Sequence, residues 1–158
     1  MNESRVEVGS LVPDVRLSST AGDVSLHELL AQGKRVVLAF HFEDGTPACA
    51  SQVAMLKDAY EAIVDLGAEV LAVSADPLDA HRAFAERLGG VPFPIASDAK
   101  LEAARAYGVV DEGDPRRSRR AVFVIDRGGA LLLANRHFQS TNPSQVEALI
   151  EALAAPAE

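Results

Sequence analysis

The sequence predicts an α/β fold, a central mixed β-sheet flanked by helices, in a single domain over residues 1–158. Three observations carry this. A continuous apolar run, Val36-Val37-Leu38-Ala39-Phe40, is followed by a helical pattern and then by a second apolar run over 68–74. Such a strand-helix-strand unit pairs parallel strands and is almost always right-handed. Farther on, Val122 to Ile125 and Leu131 to Leu133 flank Asp126-Arg127-Gly128-Gly129, the signal of an antiparallel hairpin. Finally, Val146, Leu149, Ile150 and Leu153 recur at helical spacing, which predicts a closing helix.

The elements run in order along the chain. Residues 1–13 read as a lead-in broken by Val8-Gly9 and Val12-Pro13-Asp14, and Val15 and Leu17 alternate with polar residues as in a short edge strand. Ala21-Gly22-Asp23 reads as a hairpin turn before Val24. Ser25 and Glu28 have capping-box spacing, so a short helix covers 26–32 and stops at Gly33. The run over 35–42 has no polar face and suits a central parallel strand buried on both sides. Thr46 is the expected N-cap of a helix over 47–66, with Pro47 at its first position. Val53, Leu56, Tyr60 and Ile63 form its buried face, and Gly67 ends it.

Beyond strand 68–74, Asp76-Pro77 starts a helix with Phe84 and Leu88 inward, and Gly89-Gly90 ends it. Phe93-Pro94-Ile95 is a short extended piece. Asp98 caps a helix through Tyr107, which Gly108 terminates. Residues 110–119 are charged and turn-rich and read as an exposed loop. Asn142 caps the closing helix with Pro143 at its first position, and the tail 154–158 frays. This order matches a thioredoxin-like arrangement with an N-terminal extension.

Composition narrows the function. At 48% hydrophobic and 24% charged, the chain is an ordinary globular sequence. It has no apolar run near the ~20 residues a membrane-spanning helix needs. Met1-Asn2-Glu3-Ser4-Arg5 lacks an apolar signal core, so the expected compartment is the cytoplasm. A net charge of −8 argues against nucleic acid or an anionic membrane as partner. Cys49 is the single cysteine, so any disulfide chemistry must involve a second molecule.

Cys49 is also where strand, polar turn and helix start converge. A thiol in the first turn of a helix sits among unpaired N–H groups at the positive end of the macrodipole, a setting that favours the reactive thiolate. Moving a cysteine from a pKa of ~8.5 to ~6 raises its thiolate fraction at pH 7 from about 3% to roughly 90%, which takes ~3.4 kcal/mol. A helix N-terminus supplies ~0.3–1 kcal/mol at a surface and up to ~2 when partly buried, so a cation is required nearby. Arg116, Arg117, Arg119 and Arg120 form the one basic cluster, and Arg120 begins a strand that can hold it rigidly. Glu43 and Asp44 would oppose a thiolate and are expected to point to solvent.

Several stretches, in order and over nearly the whole chain, resemble peroxiredoxins of the AhpC/TSA and bacterioferritin-comigratory groups. Val8-Gly9, Pro13-Asp14 and Leu17 are similar to the family's opening, and Gly33-Lys34 with Val36 to Phe40 to its central strand. Thr46-Pro47-Ala48-Cys49 with Gln52 resembles its active-site turn. Val73-Ser74-Ala75-Asp76, His81 and Phe84 match the family's next strand and helix, and Phe93 to Asp98 and Tyr107-Gly108-Val109 match the stretch after that helix. Arg120 to Asp126 resembles the strand carrying the family's active-site arginine.

The resemblance implies that Cys49 is the peroxidatic thiol, that Thr46 hydrogen-bonds the peroxide, and that Arg120 polarises it and stabilises the thiolate. It implies a peroxide substrate and, with no resolving cysteine, regeneration by an external thiol: thioredoxin, glutaredoxin or a low-molecular-weight thiol. Relatives include monomers and dimers, and a homodimer is the assembly expected here. Phe42 departs from the pattern by standing where the family has a proline. Its bulk is expected to narrow the pocket, and Phe42→Pro is expected to raise the rate if Phe42 is a defect.

Each candidate also has a plainer reading. Cys49 suits a small buried hydrophobe, Thr46 an N-cap alone, Arg120 a solvated strand end, and Phe42 a core or pocket-wall residue. Phe42 and the missing second thiol also support a rival function, a non-peroxidatic thioredoxin-like redox-sensing or partner-binding module. His27, His41, His81 and His137 show no metal-ligand spacing, and His81 reads as a helix-surface or packing residue. With no phosphate-binding glycine loop and no nucleophile-elbow motif, no cofactor is expected.

Overall fold

A computed structural model describes residues 6–44 and 46–156; residues 1–5, Gly45 of the polar turn and the last two residues of the tail lie outside the described residues. The elements are β1 (Arg16–Ser19), β2 (Gly22–Ser25), α1 (Leu26–Ala31), β3 (Arg35–Phe40), α2 (Pro47–Asp65), β4 (Ala68–Ser74), α3 (Leu78–Arg87), β5 (Ile95–Ser97), α4 (Glu102–Ala106), β6 (Ala121–Ile125), β7 (Leu131–Asn135) and α5 (Pro143–Ala154). The strands form one mixed sheet in the order β2-β1-β5-β4-β3-β6-β7. β3 pairs in parallel with β4, and β4 with β5, while β6 joins the other side of β3 antiparallel. This is the α/β, thioredoxin-like sheet that the sequence predicts.

The apolar run of β3 explains its central place. All six residues are buried, and alternate side chains enter different cores. Val36, Leu38 and Phe40 pack with Leu26 and Leu30 of α1 and Ala103 and Ala104 of α4. Val37 and Ala39 pack with Val53, Leu56 and Ile63 of α2, Phe84 of α3 and Leu149 and Leu153 of α5. A strand covered on both faces has no use for a polar alternation. The N-terminal extension lies along the β6–β7 hairpin: Gly9 N–H donates to Leu131 O at 2.8 Å and Val12 N–H to Gly129 O at 3.0 Å.

Several boundaries move. The strand expected over 35–42 ends at Phe40, with one further ladder bond from His41 N–H to Val73 O at 2.9 Å. Residues beyond it leave the sheet to build the turn before α2. The first hairpin turns at Thr20-Ala21, since Ser19 pairs with Gly22, and β1 lies inside the sheet with β2 at the edge. The N-cap of α4 is Leu101 rather than Asp98, and the helix begins only at Glu102, although the Asp98 carboxylate accepts from Ala103 and Ala104 N–H at 3.1 and 2.9 Å. The helix expected from Asp76-Pro77 begins at Leu78, which leaves the Asp76 carboxylate to another use.

Candidate active site

The turn between β3 and α2 delivers Cys49 as the third residue of α2, 1% exposed. Its sulfur accepts a hydrogen bond from the Phe42 backbone N–H at 3.3 Å. That N–H is available because Phe42 has left the sheet ladder. A cavity of about 610 Å³ beside the sulfur is lined by Cys49, Thr46, Phe42, Arg120, Ala48 and Phe138, among others. The three residues proposed from sequence, Cys49, Thr46 and Arg120, therefore share one cavity, although Cys49 and Arg120 come from different elements.

Thr46 does not act as the side-chain cap of α2. Its Oγ1 makes no capping bond and instead donates to Glu43 O at 3.1 Å, closing the turn onto itself. With the hydroxyl hydrogen committed there, the oxygen's lone pairs remain to accept a hydrogen from a ligand in the cavity. Phe42 lines the cavity wall beside Cys49 and leaves the space open, and the Arg117 guanidinium lies 5.7 Å from its ring centroid.

The basic cluster is sorted by its partners. Arg116 pairs with Asp114 at 3.1 Å on the surface. Arg117 reaches Asp76 at 3.1 Å and Glu43 at 3.5 Å. Arg119 donates to Glu112 at 3.1 Å and meets His137 Nε2 at 3.0 Å. Among the described residues the Arg120 guanidinium makes no hydrogen bond or ion pair, so it is the cavity arginine whose donors are uncommitted. The loop expected to be exposed over 110–119 is in part a lid on the turn: Ser118 is buried and donates to His41 O at 2.9 Å.

The expectation that Asp44 points to solvent is overturned. Its side chain is 4% exposed and bridges two imidazoles, with Oδ1 at 2.6 Å from His41 Nε2 and Oδ2 at 2.6 Å from His81 Nδ1. Burial by itself raises the Asp44 carboxyl, but the hydrogen bonds from the two histidines, with positive charge on the imidazole pair, outweigh it and hold the carboxyl at about 2. Glu43, by contrast, stays partly exposed on Arg117. Of the two expectations for His81, surface or packing, the structure takes packing: it is wholly buried. The three donor atoms lie within 4.8 Å of one another, but each carboxylate oxygen is committed to a separate ring through a hydrogen bond. Asp76 extends the network by accepting from Asp44 N–H at 2.8 Å and Ser74 Oγ at 2.8 Å.

Sequence reasoning missed this network. One signal was present: His81 and Phe84 sit three apart on the buried face of α3. The pairing itself spans 37 residues and no local pattern shows it.

Comparison with known proteins identifies the family and the fold. The family model of the AhpC/TSA family matches residues 8–133. Peroxiredoxin Q, chloroplastic, of Gentiana triflora is 34% identical over 138 residues, 86% of this chain and 62% of that protein. The protein of the same name from Sedum lineare is 33% identical over 138 residues, 86% of this chain and 73% of its own length. The chain thus spans about two thirds of the length of these relatives. The crystal structure of peroxidoxin BcpB from Mycobacterium tuberculosis superposes with a TM-score of 0.85 at 25% identity, covering 98% of this chain and 100% of that one.

Proposed function

The chain belongs to the AhpC/TSA family, and from that premise we propose that it is a thiol peroxidase acting on hydrogen peroxide or an alkyl hydroperoxide through Cys49. The observation that carries the reading is that Cys49, Thr46 and Arg120, whose guanidinium makes no hydrogen bond or ion pair among the described residues, line one cavity.

In the proposed reaction the Cys49 thiolate attacks the terminal, hydroxyl-bearing peroxide oxygen in line with the O–O bond. An S–O bond forms, the O–O bond breaks, and the departing oxygen takes from solvent the proton that Cys49 gave up on ionising and leaves as water or alcohol. The sulfur is oxidised to sulfenic acid and the peroxide is reduced. Thr46 Oγ1, its hydrogen held on Glu43 O, accepts from the peroxide O–H and orients it. Arg120 donates to the oxygen on which negative charge develops, where a preorganised donor acts most strongly. The Phe42 N–H stabilises the attacking sulfur. Because Cys49 is the single cysteine, recovery requires an external thiol. That thiol attacks the sulfenic sulfur and releases water, and a second thiol releases Cys49 from the mixed disulfide. Thioredoxin, glutaredoxin or a small thiol would serve, in the cytoplasm, with the protein as a homodimer.

Rapid mixing of the reduced protein with hydrogen peroxide and with cumene hydroperoxide, trapping the Cys49 sulfenic acid with dimedone, tests this reading. Oxidation orders of magnitude faster than free cysteine is expected. A rate no faster than free cysteine thiolate would remove the peroxidase reading.

A further inference from the structure

The His41–Asp44–His81 bridge lies outside the cavity, yet it holds the turn that builds it. Hydrogen-bond counting fixes its protons. His81 Nε2 faces the Ala96 carbonyl at 3.0 Å, and Nδ1 faces Asp44 Oδ2 at 2.6 Å. Both partners only accept, so the geometry places a proton on each ring nitrogen of His81. His41 donates through Nε2 to Asp44 Oδ1, while its Nδ1 is buried without a partner, as befits the unprotonated nitrogen of a neutral ring. An anionic Asp44, a cationic His81 and a neutral His41 sum to zero, which suits three nearly inaccessible groups.

The same turn holds both contacts that matter to the sulfur. Asp44 follows Phe42, whose N–H donates to Cys49, and Glu43, whose carbonyl accepts Thr46 Oγ1. We propose that Asp44, clamped between His41 and His81, is the positioning residue of the active-site turn, holding residues 42–44 so that the Phe42 N–H meets the Cys49 sulfur and the Thr46 hydroxyl faces the cavity. This role rests on the peroxidase reading for its kinetic consequence. The charged groups around the clamp are few: Asp76 receives the Asp44 N–H, and Arg117 faces Asp76, Glu43 and Asp114. Two imidazoles from different elements, β3's end and α3, make the clamp a tertiary one.

The test has a spectroscopic arm and two kinetic arms, all on the full chain. In the ¹⁵N-labelled protein, His81 is expected to show a proton on each ring nitrogen, as its two acceptor partners require; a single protonated nitrogen overturns the clamp. Asp44→Asn keeps the shape but not the charge. It is expected to remove that signature and to slow both peroxide oxidation and iodoacetamide alkylation of Cys49 at least tenfold. Asp79→Asn, on the exposed face of the same helix α3, is expected to change neither. If a folded Asp44→Asn protein keeps both rates within twofold, the positioning role is overturned. Should Asp44→Asn not fold, His81→Phe, which keeps a ring in the core but removes the donor to Asp44 Oδ2, carries the same rate expectations. The arms separate the two readings. A wild type inert to peroxide, with alkylation still slowed in Asp44→Asn, removes the peroxidase and leaves the clamp. Fast peroxide oxidation in both proteins removes the clamp alone. Stoichiometric zinc in the purified protein would also overturn it, since the ion would replace the bridging protons.

Discussion

The Phe42 backbone N–H donates to the Cys49 sulfur at 3.3 Å, so the residue that departs from the family pattern is also the sulfur's hydrogen-bond donor. The ring of Phe42 goes elsewhere, to the cavity wall and the Arg117 guanidinium. Backbone and side chain thus do separate jobs, and substitutions can divide them.

Phe42→Pro is expected to slow Cys49 oxidation about tenfold, the reverse of the expectation from sequence. Proline has no N–H, and a hydrogen bond to a charged partner contributes ~1.5–3 kcal/mol. Phe42→Ala keeps the N–H and loses a cation–π contact of ~0.5–1 kcal/mol, so its rate should stay within about fivefold. Stopped-flow oxidation of the two variants decides the matter; a proline variant as fast as wild type would return the blame to the phenyl ring.

Arg120→Met is expected to lower peroxide oxidation by roughly 10²-fold, the loss typical of one preorganised donor. Arg119→Met, whose partners are Glu112 and His137, should change the rate little. Equal losses in both variants, measured as second-order rate constants, would show that general cavity charge matters rather than one positioned guanidinium.

Thr46→Val removes the hydroxyl that joins Glu43 O on a residue lining the cavity. A drop in oxidation rate of about tenfold or more is expected, with a stability loss of about 1 kcal/mol. Thr46→Ser should recover most of both. Rate and urea midpoint measured together separate the turn's closure from contact with the peroxide.

Asp44 sets an acid limit on stability. Its carboxyl is lowered from 3.8 to about 2 in the folded protein. A lowered acid contributes stability that is fully present above the unfolded value and is lost as pH falls through the folded one. Wild type should therefore lose on the order of 2 kcal/mol from this group between about pH 4 and pH 2. Asp44→Asn should lack that component, so the stability gap between the two proteins narrows across this window in urea titrations. A gap independent of pH would show that the carboxylate's charge is not what the histidines hold.

The sequence by itself determined the sheet's centre, the helix that follows it and the sulfur at their junction. These rest on local physics: an unbroken apolar run for β3, Pro47 at the start of α2, and helical spacing of Val53, Leu56 and Ile63. It also nominated Arg120, because a basic residue next to an apolar strand is visible in a line of text, although β6 begins one residue later at Ala121. Only the tertiary structure decided which arginine of the cluster keeps its donors uncommitted, since pairing with Glu112, Asp114, Asp76 and Glu43 depends on how loop 110–119 folds over the turn. It likewise turned Thr46 from a helix cap into a turn-closing hydroxyl. The largest reversal is Asp44. A carboxylate beside a thiol belongs in solvent by charge alone, but two imidazoles from β3's end and α3 supply partners that make its burial favourable, and no spacing along the chain announces that His81 will be one of them.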